Sequence, residues 1–495
     1  MPRFPAVGTA LRFLKAQWIA ALGCSAVALI PCYWHRHIQA TDLGSHVYNA
    51  WLAQLIRAGQ APGLRIVPQT SNVLFDLILS GLFRAFGPLV AEKIAVSLAV
   101  LVFFWGGFAL CSVAGERPAW SVVPLLTMVS YGLMFNLGFM NLYLSVGFSL
   151  FAIAVLVRGK RWDYALLLPV LALIWMSHLL GTAGVIAVGG MLLVMRSLRA
   201  RTQLMVSGAA LAIYFIARWY LVTHYFVLKH ETNVYWYMGA DQLVIFGVEY
   251  QLVAIAVVTI AAIGLALRLR HAEARDLPRV ALWLQVYALV AIAVVCAPGG
   301  IYHPKLQLMG YLPDRLSLYS AVFLCALMAA VRPGKVQVAL LASTALMFFS
   351  FLYRDTGKLE RLEAKVEQVV APLSPPARIV PTFFPEPKWR IHEQHVTDRA
   401  CIGHCFAINN YEAGSSQFRI KAAAGNRIVE TYGIRVGRLK DGIFMVQEQD
   451  LPLSTIYVCG TELQEVCIHP LSAGEYSGQV AYDAKLAAAG KKTGQ

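Results

Sequence analysis

RVALWLQVYALVAIAVVCA, residues 279–297, decides what kind of protein this is. A helix advances about 1.5 Å per residue, so roughly 20 mostly apolar residues are needed to cross about 30 Å of hydrocarbon. This run meets that requirement, and its one charge, Arg279, stands at its first position. Ten further runs of the same kind lie on either side of it, at 18–34, 89–110, 119–135, 141–157, 162–177, 179–196, 204–222, 248–268, 316–331 and 335–353. The composition agrees: 58% of the 495 residues are hydrophobic and 14% charged, against roughly a quarter charged in soluble domains. The sequence therefore predicts a mainly α protein, a polytopic transmembrane bundle of about eleven helices.

Charge in the loops orients the bundle, because Lys and Arg near helix ends stay on the cytoplasmic side. With the N-terminus inside, the inner segments 1–17, 111–118, 158–163, 196–203, 268–279 and 332–335 hold 16 Lys and Arg in 55 residues. The outer segments 35–88, 136–140, 223–247 and 298–315 hold 7 in 102. SNVLFDLILSGLFRAF (71–86) is apolar enough to tempt a twelfth crossing. Asp76 and Arg84 inside it make that costly, and an extra crossing would reverse the charge bias, so it reads as an interfacial helix. Arg3, Arg12 and Lys15 precede the first run and no small-residue cleavage site stands out, so that helix reads as a retained anchor.

The net charge of +15 resides mostly in the membrane part. Residues 1–353 carry 25 basic and 11 acidic groups and residues 354–495 carry 17 and 16. The excess follows the topology and implies no nucleic-acid partner. Five cysteines (Cys24, Cys32, Cys111, Cys296, Cys325) lie in apolar helices and read as small hydrophobes. Four lie in the tail, where an oxidising compartment favours disulfides. Cys401–Cys405 and Cys459–Cys467 are the expected pairs, with a metal site at CIGHC (401–405) as the competing reading.

The domain plan follows. Residues 1–353 form the transmembrane domain with a large first outer loop (35–88). Residues 354–387 are an amphipathic helix, with Leu359, Leu362, Val366, Val369 and Val370 at helical spacing, and then a Pro-rich linker. Residues 388–486 form a small disulfide-containing α+β or β-rich outer domain, with short strand-like runs at 417–422, 427–437, 442–449 and 455–460. Residues 487–495 read as a disordered tail.

The first loop (40–98) is too long and too patterned for a connector. A helix starting at Asp42, with Thr41 as candidate N-cap, runs to about Arg57 and presents Val47, Trp51 and Leu55 to the membrane. Asp42 and His46 are four residues apart and share one face, so together they can bind a proton, a hydroxyl or a cation. The bland reading makes Asp42 a carboxylate favoured by the helix dipole and His46 a hydrogen-bonded packing residue. His303, Lys305 and Arg315 in IYHPKLQLMGYLPDRLS (301–317) are outer-side cations suited to a phosphate, Arg315 first because a guanidinium binds phosphate bidentately. Snorkelling to lipid headgroups explains them as well. His178 at an outer helix turn is a binding candidate or a helix-packing group. Tyr235, Trp236 and Tyr237 offer stacking faces for a sugar or an interfacial belt. His392, His395, Asp398, Arg399 and His404 cluster near the first disulfide, to recognise an acceptor or simply to pack.

An Asp just after the first transmembrane helix, a juxtamembrane helix, a second short helix ending in Phe86-Gly87, a long crossing, eleven helices and an outer C-terminal domain together resemble the GT-C membrane glycosyltransferases. Protein O-mannosyltransferases and aminoarabinose transferases have this layout. The resemblance implies transfer of a sugar from a polyprenyl-phosphate carrier to a glycan, lipid or protein hydroxyl at the outer face of a bacterial inner membrane, with Asp42 as general base. The sequence has Asp42-Leu43 where that superfamily commonly has Asp-Glu, and shows no clear second Asp-x-Asp motif. No metal is therefore implied with certainty, and a divalent cation stays open. Two other classes compete: a lipid-linked glycan flippase or transporter, for which Arg218 and Glu249 are the only deep charges, and a non-catalytic envelope assembly protein.

Overall fold

In a computed structural model, the described residues are 7–158, 161–228, 238–270, 276–303, 307–383, 395–415, 417–431, 435, 438–439, 441–460 and 465–493. The chain is mainly helical. Among the described residues, seven helices are long and apolar enough to cross a membrane: Leu74–Gly115, Met140–Arg158, Ala200–His224, Val248–Arg270, Leu277–Val295, Leu312–Val331 and Lys335–Val370. Four shorter apolar helical stretches, Gln17–Tyr33, Trp120–Asn136, Asp163–Ser177 and Leu179–Met195, accompany them. Each of the eleven coincides with one of the runs read from the sequence. Two compact units result: residues 1–31 with 96–351, and residues 32–95 with 352–495. The loop expected to belong with the membrane helices is thus grouped with the C-terminal region.

In the first unit, small residues let helix backbones touch. A Cβ on Gly147 would lie 2.8 Å from the Cα of Phe103, and one on Gly106 would lie 2.3 Å from the carbonyl oxygen of Gly147. Close approach of this kind replaces the hydrophobic drive that is missing between helices in lipid. Phe103 and Tyr143 stack across the contact with centroids 4.4 Å apart. Three short antiparallel strands, Phe226–Leu228, Gly300–His303 and Gln307–Met309, complete the unit.

The second unit is built on a helix over Leu43–Arg57. The run 71–86 is helical as expected, from Leu74, and joins the following helix through a kink at Gly87, whose φ of 78° is one that glycine adopts without a Cβ penalty. Pro88 follows directly, where a helix start tolerates it. The amphipathic stretch after residue 353 continues the preceding helix to Val370 without a break. Leu359, Leu362, Val366 and Val370 are buried.

Several expectations are corrected here. Trp51 and Leu55 pack with the apolar core of the C-terminal region, not on a membrane, and Val47 is fully buried. Trp51 lies against Phe406 with centroids 5.8 Å apart, because an amphipathic face settles on whatever apolar surface is nearest in the fold. The Pro-rich linker carries a strand, Arg378–Thr382, inside a four-stranded sheet. Proline bars a helix but not an extended chain. This strand runs parallel to Phe406–Ala407 and to Ser454–Val458, which pairs antiparallel with Val466–Pro470. Of the four expected strand runs, 417–422 and 455–460 contain strands (Ile420–Ala422 and Ser454–Val458), while 442–449 contributes only an isolated bridge at Met445. The described residues of 427–437 form no strand. Leu64–Ile66, in the first loop, pairs with Ile420–Ala422. The tail expected to be disordered from residue 487 continues a helix that runs Gln479–Thr493, since Ala and Lys are good helix formers.

Candidate functional site

Asp42 occupies the N-cap position of the Leu43–Arg57 helix, yet its side chain makes no capping hydrogen bond. The carboxylate, 19% exposed, lies 3.6 Å from His395 Nε2. Its other oxygen accepts from the Tyr411 hydroxyl at 3.4 Å. His395 Nδ1 pairs with Asp398 at 2.9 Å, and Asp398 is fully buried. A histidine oriented through one nitrogen by a buried carboxylate presents the other in a fixed direction. Here that direction is toward Asp42.

The approach is close. A Cβ on Gly44 would fall 2.4 Å from the backbone oxygen of His395, so only glycine lets the loop helix meet this turn. Burial raises the Asp398 carboxyl, against the pull of His395. Burial, and then the neighbouring Asp42 carboxylate, push the Tyr411 hydroxyl well above its ordinary value and keep it a donor. A crevice lined by Gln39, Thr41, Gly44, His395 and Arg399 opens beside these groups.

His46 does not join Asp42. Its Nδ1 faces Asp76 at 2.8 Å and Glu412 at 3.1 Å, and all three residues are buried. Burial opposes a charged His46, but Asp76 and Glu412 outweigh it and hold the imidazole well above its ordinary value. Asp76, which the sequence marked only as an obstacle to membrane insertion, is thus tied into the unit.

A second buried network lies one turn away. Arg399 forks onto both oxygens of Glu363, each at 2.6 Å, and reaches Glu92 at 2.8 Å. Burial disfavours its charge, and Glu363 and Glu92 overcome that and raise the guanidinium above its ordinary range. Glu92 also accepts the backbone N–H of Ile38 at 2.6 Å. His37 sits at the edge, with Nε2 3.0 Å from Glu367 and Nδ1 3.8 Å from Glu92.

Burial and Arg399 disfavour the His37 imidazolium, but Glu367, Glu92 and Glu363 prevail and raise it to about 9. A histidine raised in the folded state stabilises fully below its unfolded value near 6.5, and that contribution disappears as pH climbs through 9. The shift corresponds to roughly 3 kcal/mol. The apparent melting temperature of the purified protein is expected to fall between pH 6.5 and 9.5, and less so in His37→Gln; parallel curves for the two proteins would refute the assignment.

The remaining candidates lie elsewhere. In the first unit His178 caps the Leu179–Gly184 helix through Nδ1, which accepts the Leu180 N–H at 3.1 Å. Its carbonyl accepts the Ser145 hydroxyl at 2.7 Å. Arg315 lies over the Phe139 ring, 4.6 Å from its centroid. The backbone of His303 ends the strand Gly300–His303; its side chain and Lys305 lie outside the described residues, as do His392, Tyr235, Trp236 and Tyr237. Cys401–Cys405 and Cys459–Cys467 are disulfides, so the metal reading of CIGHC fails because its sulfurs are bonded to each other. The His404 ring reaches the Leu373 carbonyl at 3.4 Å.

The sequence reading had no role for Glu92, Glu363, Tyr411 or Glu412. For Glu92 the available signal was an acid within an apolar helix, since a charge buried in such a face requires a partner; Glu363, Tyr411 and Glu412 stand in polar stretches that carried no such signal. Searches against protein-family models, curated proteins and solved structures found no match to this chain.

Proposed function

We propose that this chain is a membrane glycosyltransferase of GT-C type that moves a sugar from a polyprenyl-phosphate carrier to an acceptor hydroxyl at the outer face, with Asp42 as general base. One observation carries the reading: Asp42 is a part-exposed carboxylate that caps no helix and is addressed by the His395–Asp398 pair and the Tyr411 hydroxyl. A hydroxyl attacking an anomeric carbon must lose its proton, and a positioned carboxylate can take it. Single displacement inverts that carbon. The departing lipid phosphate gains charge and needs cationic donors, a role assigned to Arg315 first and to His303 and Lys305 after it.

The seven long and four shorter apolar helices support eleven crossings, an odd number that puts the two ends on opposite sides. Two disulfides are compatible with an oxidising compartment for the C-terminal region, and hence with a bacterial inner membrane and a periplasmic domain.

The test is incubation of the purified protein with a panel of radiolabelled polyprenyl-phosphate sugars and membrane extract. Label moving to an acceptor supports the reading. No movement with any donor would overturn it in favour of transport or assembly.

A further inference from the structure

The sequence places His46 one turn into the loop helix, Asp76 in the first turn of the helix that begins at Leu74, and Glu412 in the short helix Tyr411–Ser415. Three segments far apart in the chain deliver one nitrogen and two carboxylate oxygens to one point, all within 4.8 Å of one another. The Nδ1 to Asp76 and Nδ1 to Glu412 separations are 2.8 and 3.1 Å. Ligands bonded at about 2.1 Å around a tetrahedral ion are about 3.4 Å apart, so the two separations from Nδ1 fall short of such a shell by about 0.6 and 0.3 Å, a gap that a small outward shift of the two carboxylates closes.

A proton alone satisfies this group poorly. One imidazole N–H donates well to one oxygen, and Asp76 takes that bond. Glu412 Oε1, in a residue 1% exposed, faces the same Nδ1 at 3.1 Å but receives no well-aligned hydrogen bond among the described residues. A buried carboxylate oxygen without a donor is costly. A divalent cation on Nδ1 would engage all three groups at once. Phe75 sets its ring edge-on to the His46 imidazole with centroids 5.7 Å apart, which fixes the ring plane. Arg419, bonded to Ser80, acts electrostatically on Glu412 and favours its charged form.

We propose that His46, Asp76 and Glu412 form a three-ligand site for a divalent transition-metal cation of the Zn2+ or Mn2+ class, separate from Asp42. Imidazole with carboxylate suits such ions better than Mg2+ or Ca2+, which favour all-oxygen shells. The ion would clamp the loop helix, the Leu74 helix and the C-terminal region together. The proposal does not depend on glycosyl transfer.

The experiment uses the full-length protein in detergent, stripped with chelator and then dialysed against Zn2+ or Mn2+, with metal content, calorimetric affinity and melting temperature as readouts. One ion per chain is expected, together with a rise in melting temperature on loading. Glu412→Gln and Asp76→Asn should each weaken binding at least tenfold, while Asp42→Asn binds as the wild type does. X-ray absorption of the Zn2+-loaded wild type should show a shell of nitrogen and oxygen only, which tests the site even if a variant fails to fold. No stoichiometric binding of either metal, undiminished binding in folded Glu412→Gln, or sulfur in the shell would each overturn the proposal.

Discussion

Arg399→Met is expected to destabilise the unit formed by residues 32–95 and 352–495 by about 3–5 kcal/mol, the range for removing one partner of a buried ion pair. Methionine keeps the length and much of the apolar stem of arginine, so the loss is chiefly electrostatic. Arg399 is the charge that Glu363 and Glu92 face from two different helices, at 2.6 and 2.8 Å, and both acids are fully buried. Gln39 donates to Glu363 at 2.7 Å and cannot neutralise it. Without the guanidinium, two buried carboxylates must either take up protons or draw water into the core. Limited proteolysis and thermal melting in detergent would measure the effect. Arg399→Met combined with Glu363→Met should recover part of the loss, because the penalty comes from the stranded charge more than from the missing bonds. A single variant melting within a degree of wild type would show that the network contributes little.

Asp42→Asn should abolish sugar transfer, with a loss of at least ~100-fold and up to ~10,000-fold, the range over which general-base catalysis acts, while leaving the fold intact. The second half follows from the site: the Asp42 side chain caps no helix, and asparagine can still accept the Tyr411 hydrogen bond. His395→Gln should reduce transfer less, since His395 lies 3.6 Å from Asp42 and acts on the carboxylate through position and charge. Transfer rates with a donor identified from the panel, read beside melting temperature, separate the two outcomes. A folded Asp42→Asn protein that transfers at the wild-type rate would remove Asp42 as base without excluding a transferase that uses another one.

The predictions differ in how far the sequence alone could reach them. Asp42 was legible because a carboxylate at the start of a loop helix is a local feature. The same was true of the eleven apolar runs and of the stripe Leu359, Leu362, Val366, Val370, where period and length carry the information. Cys401–Cys405 and Cys459–Cys467 were the favoured pairs, but four cysteines allow three pairings, and the structure decided between them and a metal site.

The partners of those residues were not legible. Asp42 and His46 share a helix face by spacing, yet tertiary structure sends one to His395 and Tyr411 and the other to Asp76 and Glu412. Strand Leu64–Ile66 was hidden for the same reason: three residues have no signature until Ile420–Ala422 comes alongside. The sequence by itself determined which segments are helical and apolar, because hydrophobic transfer and helix periodicity act over one or two turns. Only the tertiary structure decided which buried charges meet, because an isolated acid in an apolar helix specifies that it needs a partner but not which distant residue supplies one.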